Sequence, residues 1–226
     1  MNRWAEGLIS LIFYASHRIL TADPVSRHLT RKDSPAMVAS KLLSFDKYIS
    51  LKSEHVIAQS FWIVTFTALT AIGAQLEIAT RPVPYTLQTL FVILAGALLG
   101  SRRGAASMLL YLGVGALGVP VFASGGLGLA KLIGPTGGYL LAFPLAAYLT
   151  GALVSKSSHI AWTVVAMVSG MLVIFACGSI FLSLFYLHNV MQSLVSGFFI
   201  FTWWDALKIA AAVAICRQFG QTPLSK

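Results

Sequence analysis

The chain has 226 residues, of which 57% are hydrophobic and only 10% charged, and its formal net charge is +9. A soluble domain usually carries about 25% charged residues, so this composition excludes a water-facing globular surface. A spanning helix takes about 20 mostly apolar residues, which allows about six spans and no sizeable soluble domain.

The positive charge does not point to nucleic acid. Eight of the sixteen Lys and Arg residues precede residue 56, and most of the others stand at the ends of apolar runs. That is the distribution of basic cytoplasmic segments in a membrane protein and not of a basic groove. Cys177 and Cys216 both fall inside apolar stretches and read as small core residues, since two such thiols make no disulfide framework.

In chain order, residues 1–55 form a basic N-terminal extension. Trp4, Leu8, Leu11, Ile12, Ala15 and Ile19 recur at helical spacing, which predicts an amphipathic helix lying on the membrane surface. The apolar run over 8–13 is short for the core of a signal peptide. Residues 21–55 are polar and basic and read as a tether or disordered arm. Met37 is a second candidate start and would leave 190 residues (226 minus 36) with little of the bundle removed.

Residues 56–219 then read as one all-α membrane domain with six transmembrane segments, at about 61–78, 84–100, 104–119, 137–154, 160–187 and within 195–219. Residues 220–226 form a tail. Pro144 predicts a bend in the fourth segment, because it has no N–H to donate inside the run. The fifth is longer than a bilayer requires and is expected to tilt or break near its end. With the N-terminus inside, the inner segments hold thirteen basic residues: the eight N-terminal ones, Arg102, Arg103, Lys156, Arg217 and Lys226. The outer loops hold Arg81 and Lys131, and Lys208 is set aside as intramembrane. The positive-inside rule therefore predicts cytoplasmic N- and C-termini.

Three outward-facing regions carry unusual chemistry. In the first, Arg81-Pro82-Val83-Pro84-Tyr85-Thr86-Leu87-Gln88-Thr89, two prolines hold an extended stretch before polar Thr86 and Gln88 enter the second helix; a rigid turn with a capping Thr fits equally. The second runs from Pro120-Val121-Phe122-Ala123-Ser124-Gly125-Gly126 to Gly134-Pro135-Thr136-Gly137-Gly138-Tyr139. Glycines allow a ligand close to the main chain, and a helix starting near Thr136 offers free N–H groups to an anion. Helix termination and close packing are the competing explanation. The third is Trp203-Trp204-Asp205-Ala206-Leu207-Lys208. Charges inside spans mark a solute path or a mutual ion pair, and the i, i+3 spacing puts Asp205 and Lys208 on one helix face. Of two depths, mid-bilayer or capping a shorter helix, the cap is preferred because an anion suits a helix N-terminus.

These stretches resemble one family. Pro82-Val83-Pro84-Tyr85-Thr86-Leu87-Gln88-Thr89-Leu90, Ala95-Gly96-Ala97-Leu98-Leu99-Gly100 and Arg102-Arg103-Gly104 are similar to the BioY family. So are Leu110-Tyr111, Gly118-Val119-Pro120-Val121-Phe122, Gly134-Pro135-Thr136-Gly137-Gly138-Tyr139, and Asp205 with Lys208. The likeness covers roughly residues 58–219. Trp203-Trp204 depart from the family's usual Pro-Gly before the Asp, and Ser124 is the nearest polar residue where an Asn often follows Pro-Val-Phe. The resemblance implies a biotin-binding S component of an energy-coupling-factor transporter in the cytoplasmic membrane. It further implies an outward-facing site under the first, third and fifth loops, and a module of one transmembrane coupling protein and two ABC-type ATPases.

Biotin joins a ureido ring, an apolar bicycle and a carboxylate tail. Asp205 can accept ureido protons, Lys208 or Lys131 can meet the carboxylate, and Tyr85, Tyr111, Phe122 and Tyr139 can wall the apolar part. Thr86, Gln88, Ser124, Gly125 and Thr136 complete the candidate set, an apolar pocket with a few placed polar groups. No cofactor is expected, biotin being cargo. The chain has no Gly-x-x-x-x-Gly-Lys-Ser/Thr, so ATP is hydrolysed by a partner or the protein is a standalone carrier. Thr67 with Ala71, and Thr70 with Ala74, form small-xxx-small pairs suited to close helix contact, either with the coupling protein, as the resemblance implies, or within the bundle. An enzyme is not expected: His55, His159 and His188 lie on separate segments without metal-ligand spacing.

Overall fold

A computed structural model of the chain describes residues 56–78, 83–197 and 203–220, all within the unit Lys47–Lys226. The surface helix expected near 4–19, the arm over 21–55, Arg81 and the tail beyond 220 lie outside the described residues.

The apolar runs become helices in the expected order. They are α1 (Val56–Gln75), α2 (Gln88–Leu99), α3 (Ser101–Ala116), the short α4 (Gly128–Ile133), α5 (Gly137–Val154), α6 (Ile160–Leu182), the short α7 (Val190–Gly197) and α8 (Trp203–Gly220). By length and composition α1, α5 and the stretch Ile160–Leu187 can cross a membrane. At 1.5 Å per residue, the 12 residues of α2 reach only about 18 Å of a hydrocarbon layer of about 30 Å. The chain ahead of α2 takes another course. Residues expected to be helical at the end of the first and start of the second segment form a two-stranded antiparallel ribbon. In it β1 (Glu77–Ile78) pairs with β2 (Tyr85–Thr86), Glu77 opposite Thr86 and Ile78 opposite Tyr85.

Helix ends are closed by local groups. The Leu87 N–H donates to Gly73 O at 3.1 Å and Leu76 O at 3.2 Å, serving carbonyls that the end of α1 leaves open. Thr86 Oγ1 accepts from the Gln88 N–H at 3.3 Å, but Leu87 occupies the cap position of α2, with no side-chain cap there. Pro144 lies inside α5, which continues as a helix to Val154. The end of α6 widens into a π turn, Ser183–Leu187, closed by the His188 N–H on Ser183 O at 3.0 Å with His188 at φ +50. The long fifth segment thus does change course near its end.

Central α5 packs against α2, α3 and α6, and α8 packs against α2 and α6. Helices approach closely around the α2–α3 link. Gly100 there has φ +83, which glycine adopts without steric cost and which lets one residue join two helices. A Cβ on Gly96 would collide with Ala147 O, one on Gly151 with Ser101 N, and one on Gly104 would sit 2.8 Å from Gly96 Cα. The glycines of the Ala95–Gly104 motif therefore act as helix contacts, in the way small residues bring membrane helices together. Arg102, Arg103, Lys156 and Arg217 stand at this end of the bundle; the ribbon, α4 and the start of α8 stand at the other.

Candidate functional site

At the ribbon end, the first and third loops, the start of α2, α5, α6 and the first two turns of α8 line a cavity of about 60 Å³. Its polar lining comprises Thr86, Gln88, Thr89, Lys131, Thr136, Asp205 and Lys208, and its apolar lining includes Tyr85, Tyr139, Phe143 and Phe175. Eight of the twelve residues predicted to bind a substrate are therefore brought together: Tyr85, Thr86, Gln88, Lys131, Thr136, Tyr139, Asp205 and Lys208.

The strongest polar feature is the ion pair on α8. Asp205 lies in the helix's first turn, where a carboxylate meets the positive end of the dipole, and one turn later Lys208 Nζ stands 3.0 Å from its Oδ1. The same ammonium donates to Thr89 Oγ1 on α2 at 3.3 Å. Asp205 is 1% and Lys208 7% exposed, so this pair is shielded from water while bordering the cavity. Charges in such surroundings are costly unless paired and hydrogen-bonded, and both conditions hold.

A second chain of hydrogen bonds supports the site from behind. Thr86 Oγ1 donates to Gln88 Oε1 at 3.2 Å, Gln88 Nε2 donates to the Tyr111 hydroxyl at 2.7 Å, and that hydroxyl donates to Val121 O at 3.0 Å. Tyr111 is fully buried and does not line the cavity. It packs edge-on against Phe122 with centroids 5.4 Å apart and stacks on Phe143 at 6.3 Å. Phe122 is also fully buried, in space that Gly115 leaves open: a Cβ at Gly115 would collide with its ring. Both aromatics brace the wall from outside. Ser124 and Gly125 likewise lie off the cavity, and their neighbour Ala123 takes their place in the lining.

Glycines in the third loop and beyond make room for the lining side chains. The Lys131 stem passes Gly126 so closely that a Cβ there would be 3.0 Å from its Cδ and Cε. A Cβ on Gly178 of α6 would collide with the Tyr139 ring. Thr136 precedes α5 but makes no side-chain cap. Among the described residues Lys131 forms no ion pair, leaving its ammonium available at the cavity.

Several lining residues were not anticipated. Leu140 and Phe143 follow Thr136 and Tyr139 at helical spacing, a pattern that could have named them. Thr89 adjoins Gln88 in the quoted motif. Ile174 and Phe175 sit in a run with no polar landmark, and nothing in the sequence marks their face of α6.

Three of the four small residues of the α1 pairs are buried within the bundle. Thr67 Oγ1 donates to Ser107 O on α3 at 2.9 Å and Ser107 Oγ to Ile63 O at 3.1 Å. Thr67, Thr70 and Ala74 are buried, leaving Ala71 as the partly exposed member of the four.

Residues 44–223 match the model of the BioY family. The chain is 41% identical over 161 residues to the biotin transporter BioY of Thermotoga maritima, covering 71% of this chain and 95% of that protein. It is 40% identical over 156 residues to the probable biotin transporter BioY of Pyrococcus horikoshii, covering 69% and 92%. Its fold is similar to the crystal structure of an S-component for biotin from an ECF-type ABC transporter. That match has a TM-score of 0.69 and 27% identity, covering 74% of this chain and 93% of that one.

Proposed function

The chain belongs to the BioY family, and from that premise we propose that it is a biotin-binding membrane subunit that captures biotin at the outer face and delivers it inward. The observation carrying this reading is the Asp205–Lys208 pair, held with Thr89 on the wall of an otherwise largely apolar cavity. A carboxylate accepts the two ureido N–H groups of biotin, and an ammonium and hydroxyl beside it offer donors to polar oxygen. Tyr85, Tyr139, Phe143 and Phe175 suit the apolar bicycle. Lys131, on the third-loop side, suits the carboxylate at the end of the flexible tail.

In this reading all six long helices cross the cytoplasmic membrane, with both termini cytoplasmic. Arg102, Arg103, Lys156 and Arg217 at the end away from the cavity support that orientation. The basic extension over 1–55 and the tail over 220–226 then lie inside, flanking a membrane domain over 56–219. Transport in this reading is driven by a coupling protein and two ATPases, a reading supported by the likeness to an S-component from an ECF-type ABC transporter. Of the α1 residues considered for that contact, Ala71 offers accessible surface, while Thr67 and Thr70 bond to α3 and Ala74 is buried. Calorimetric titration of the purified protein tests the ligand: biotin should bind far more tightly than thiamine or riboflavin, and equal or absent binding would refute the assignment.

A further inference from the structure

The first and third loops are joined by contacts that the cavity lining does not include. Gln75 Nε2, at the end of α1, donates to Phe122 O at 3.1 Å. Two residues on, Ser124 Oγ donates to Glu77 Oε1 at 2.6 Å, a length typical of a hydroxyl on an ionised carboxylate. Ser124 stands at φ +58, ψ +34, the left-handed region that non-glycine residues rarely occupy. Only His188 shares a positive φ among the non-glycine described residues. Strain of this kind persists where surrounding contacts hold it; around Ser124 these are the Phe122 N–H to Gly126 O and Gly126 N–H to Ala123 O bonds of the turn, with the Glu77 carboxylate as the side-chain contact. Glu77 Oε2 is buried without a hydrogen-bond partner among the described residues, so the serine hydroxyl is a main polar tie for that side chain.

Both ends of the bond lead to the cavity. Glu77 pairs with Thr86 across the β1–β2 ribbon, and Tyr85 and Thr86 form one part of the lining. Ala123, adjacent to Ser124, lines the same cavity. We propose that Glu77 and Ser124 are positioning residues that latch the first loop to the third across the mouth of the cavity and so set how long a bound solute stays. Neither touches the ligand. The proposal rests on the biotin reading above for its ligand, although the latch itself is a property of the two loops.

The test uses the full chain in lipid nanodiscs. Ser124→Gly removes the hydroxyl while keeping a residue that tolerates the left-handed backbone. Glu77→Ala removes the acceptor, and Glu77→Gln retains an acceptor oxygen. Losing one hydrogen bond predicts biotin dissociation about three- to tenfold faster in Ser124→Gly and in Glu77→Ala. The double variant should be no faster than either single, Glu77→Gln should fall between Glu77→Ala and wild type, and melting temperatures should stay near that of the wild type. Unchanged dissociation, multiplying effects in the double variant, or Glu77→Gln as fast as Glu77→Ala would each overturn the latch. If the wild type fails to bind biotin, the ligand reading falls and amide exchange over 121–126 decides the latch. Faster exchange in Ser124→Gly and Glu77→Ala supports it, and exchange equal to wild type refutes it.

Discussion

Lys208 Nζ lies 3.0 Å from Asp205 Oδ1 on its own helix and 3.3 Å from Thr89 Oγ1 on another. One ammonium therefore ties α8 to α2 and orients the carboxylate at the cavity. A structural and a ligand-binding role for this pair predict different outcomes. As a bundle lock alone, loss of either member strands a buried charge at about 3–5 kcal/mol, and neutralising both should restore stability with binding intact. As part of a biotin site, the double variant folds but binds about ten- to a hundredfold more weakly, the worth of a charge-assisted hydrogen bond of about 1.5–3 kcal/mol. Melting temperature and biotin affinity measured together on Asp205→Asn, Lys208→Ala and the double variant separate them; we expect the second outcome.

Gly178 faces the ring of Tyr139 so closely that a methyl group has no room. Gly178→Ala should therefore push Tyr139 into the cavity, cost about 1–3 kcal/mol of stability as overpacking does and weaken biotin binding. Gly113 is the control, because a Cβ there would meet nothing within 4 Å. Gly113→Ala should be neutral or stabilising by up to about 1 kcal/mol, since alanine favours the helix, with affinity unchanged. Equal behaviour of the two in thermal melts and calorimetry would contradict this packing role.

Tyr111 accepts from Gln88 and donates to Val121 O without lining the cavity. Tyr111→Phe leaves the buried Gln88 amide and the part-buried Val121 carbonyl short of a partner and should lower stability by about 1–3 kcal/mol. Its effect on biotin affinity should be smaller than that of Asp205→Asn. A variant of wild-type stability with strongly weakened binding would instead place the hydroxyl in direct contact with ligand.

Uptake of labelled biotin by cells should rise when a coupling protein and its ATPases are co-expressed with this chain. The increment should vanish when the ATPases are inactivated. Uptake indifferent to those subunits would favour a carrier that works alone.

The helical order was legible in the sequence because long apolar runs and basic punctuation report the bilayer directly. The β1–β2 ribbon was half legible. Pro82 and Pro84 announced extended backbone, yet its partner Glu77–Ile78 lay in the same apolar run as α1, and strand pairing is a non-local choice. At the site, Asp205, Lys208, Gln88 and Thr86 stood out because polar groups inside spans need a reason. Aromatic residues were harder to place. Tyr139 reaches the cavity, while Tyr111 and Phe122 have the same composition signature and turn inward. Which way a ring points depends on neighbours such as Gly115 and Gly178, and no run of sequence states that. Thr67 and Thr70 illustrate the same ambiguity: small residues permit close approach but do not name the approaching helix, and here it is α3.

Native mass spectrometry of the detergent-purified full chain, from cells supplied with biotin, tests the central claim most directly. A biotin-capturing cavity predicts a wild-type population heavier by one biotin, absent from the folded Asp205→Asn, Lys208→Ala double variant. A folded wild type that carries no biotin and takes none up on addition, or a double variant that retains it equally, would contradict the account.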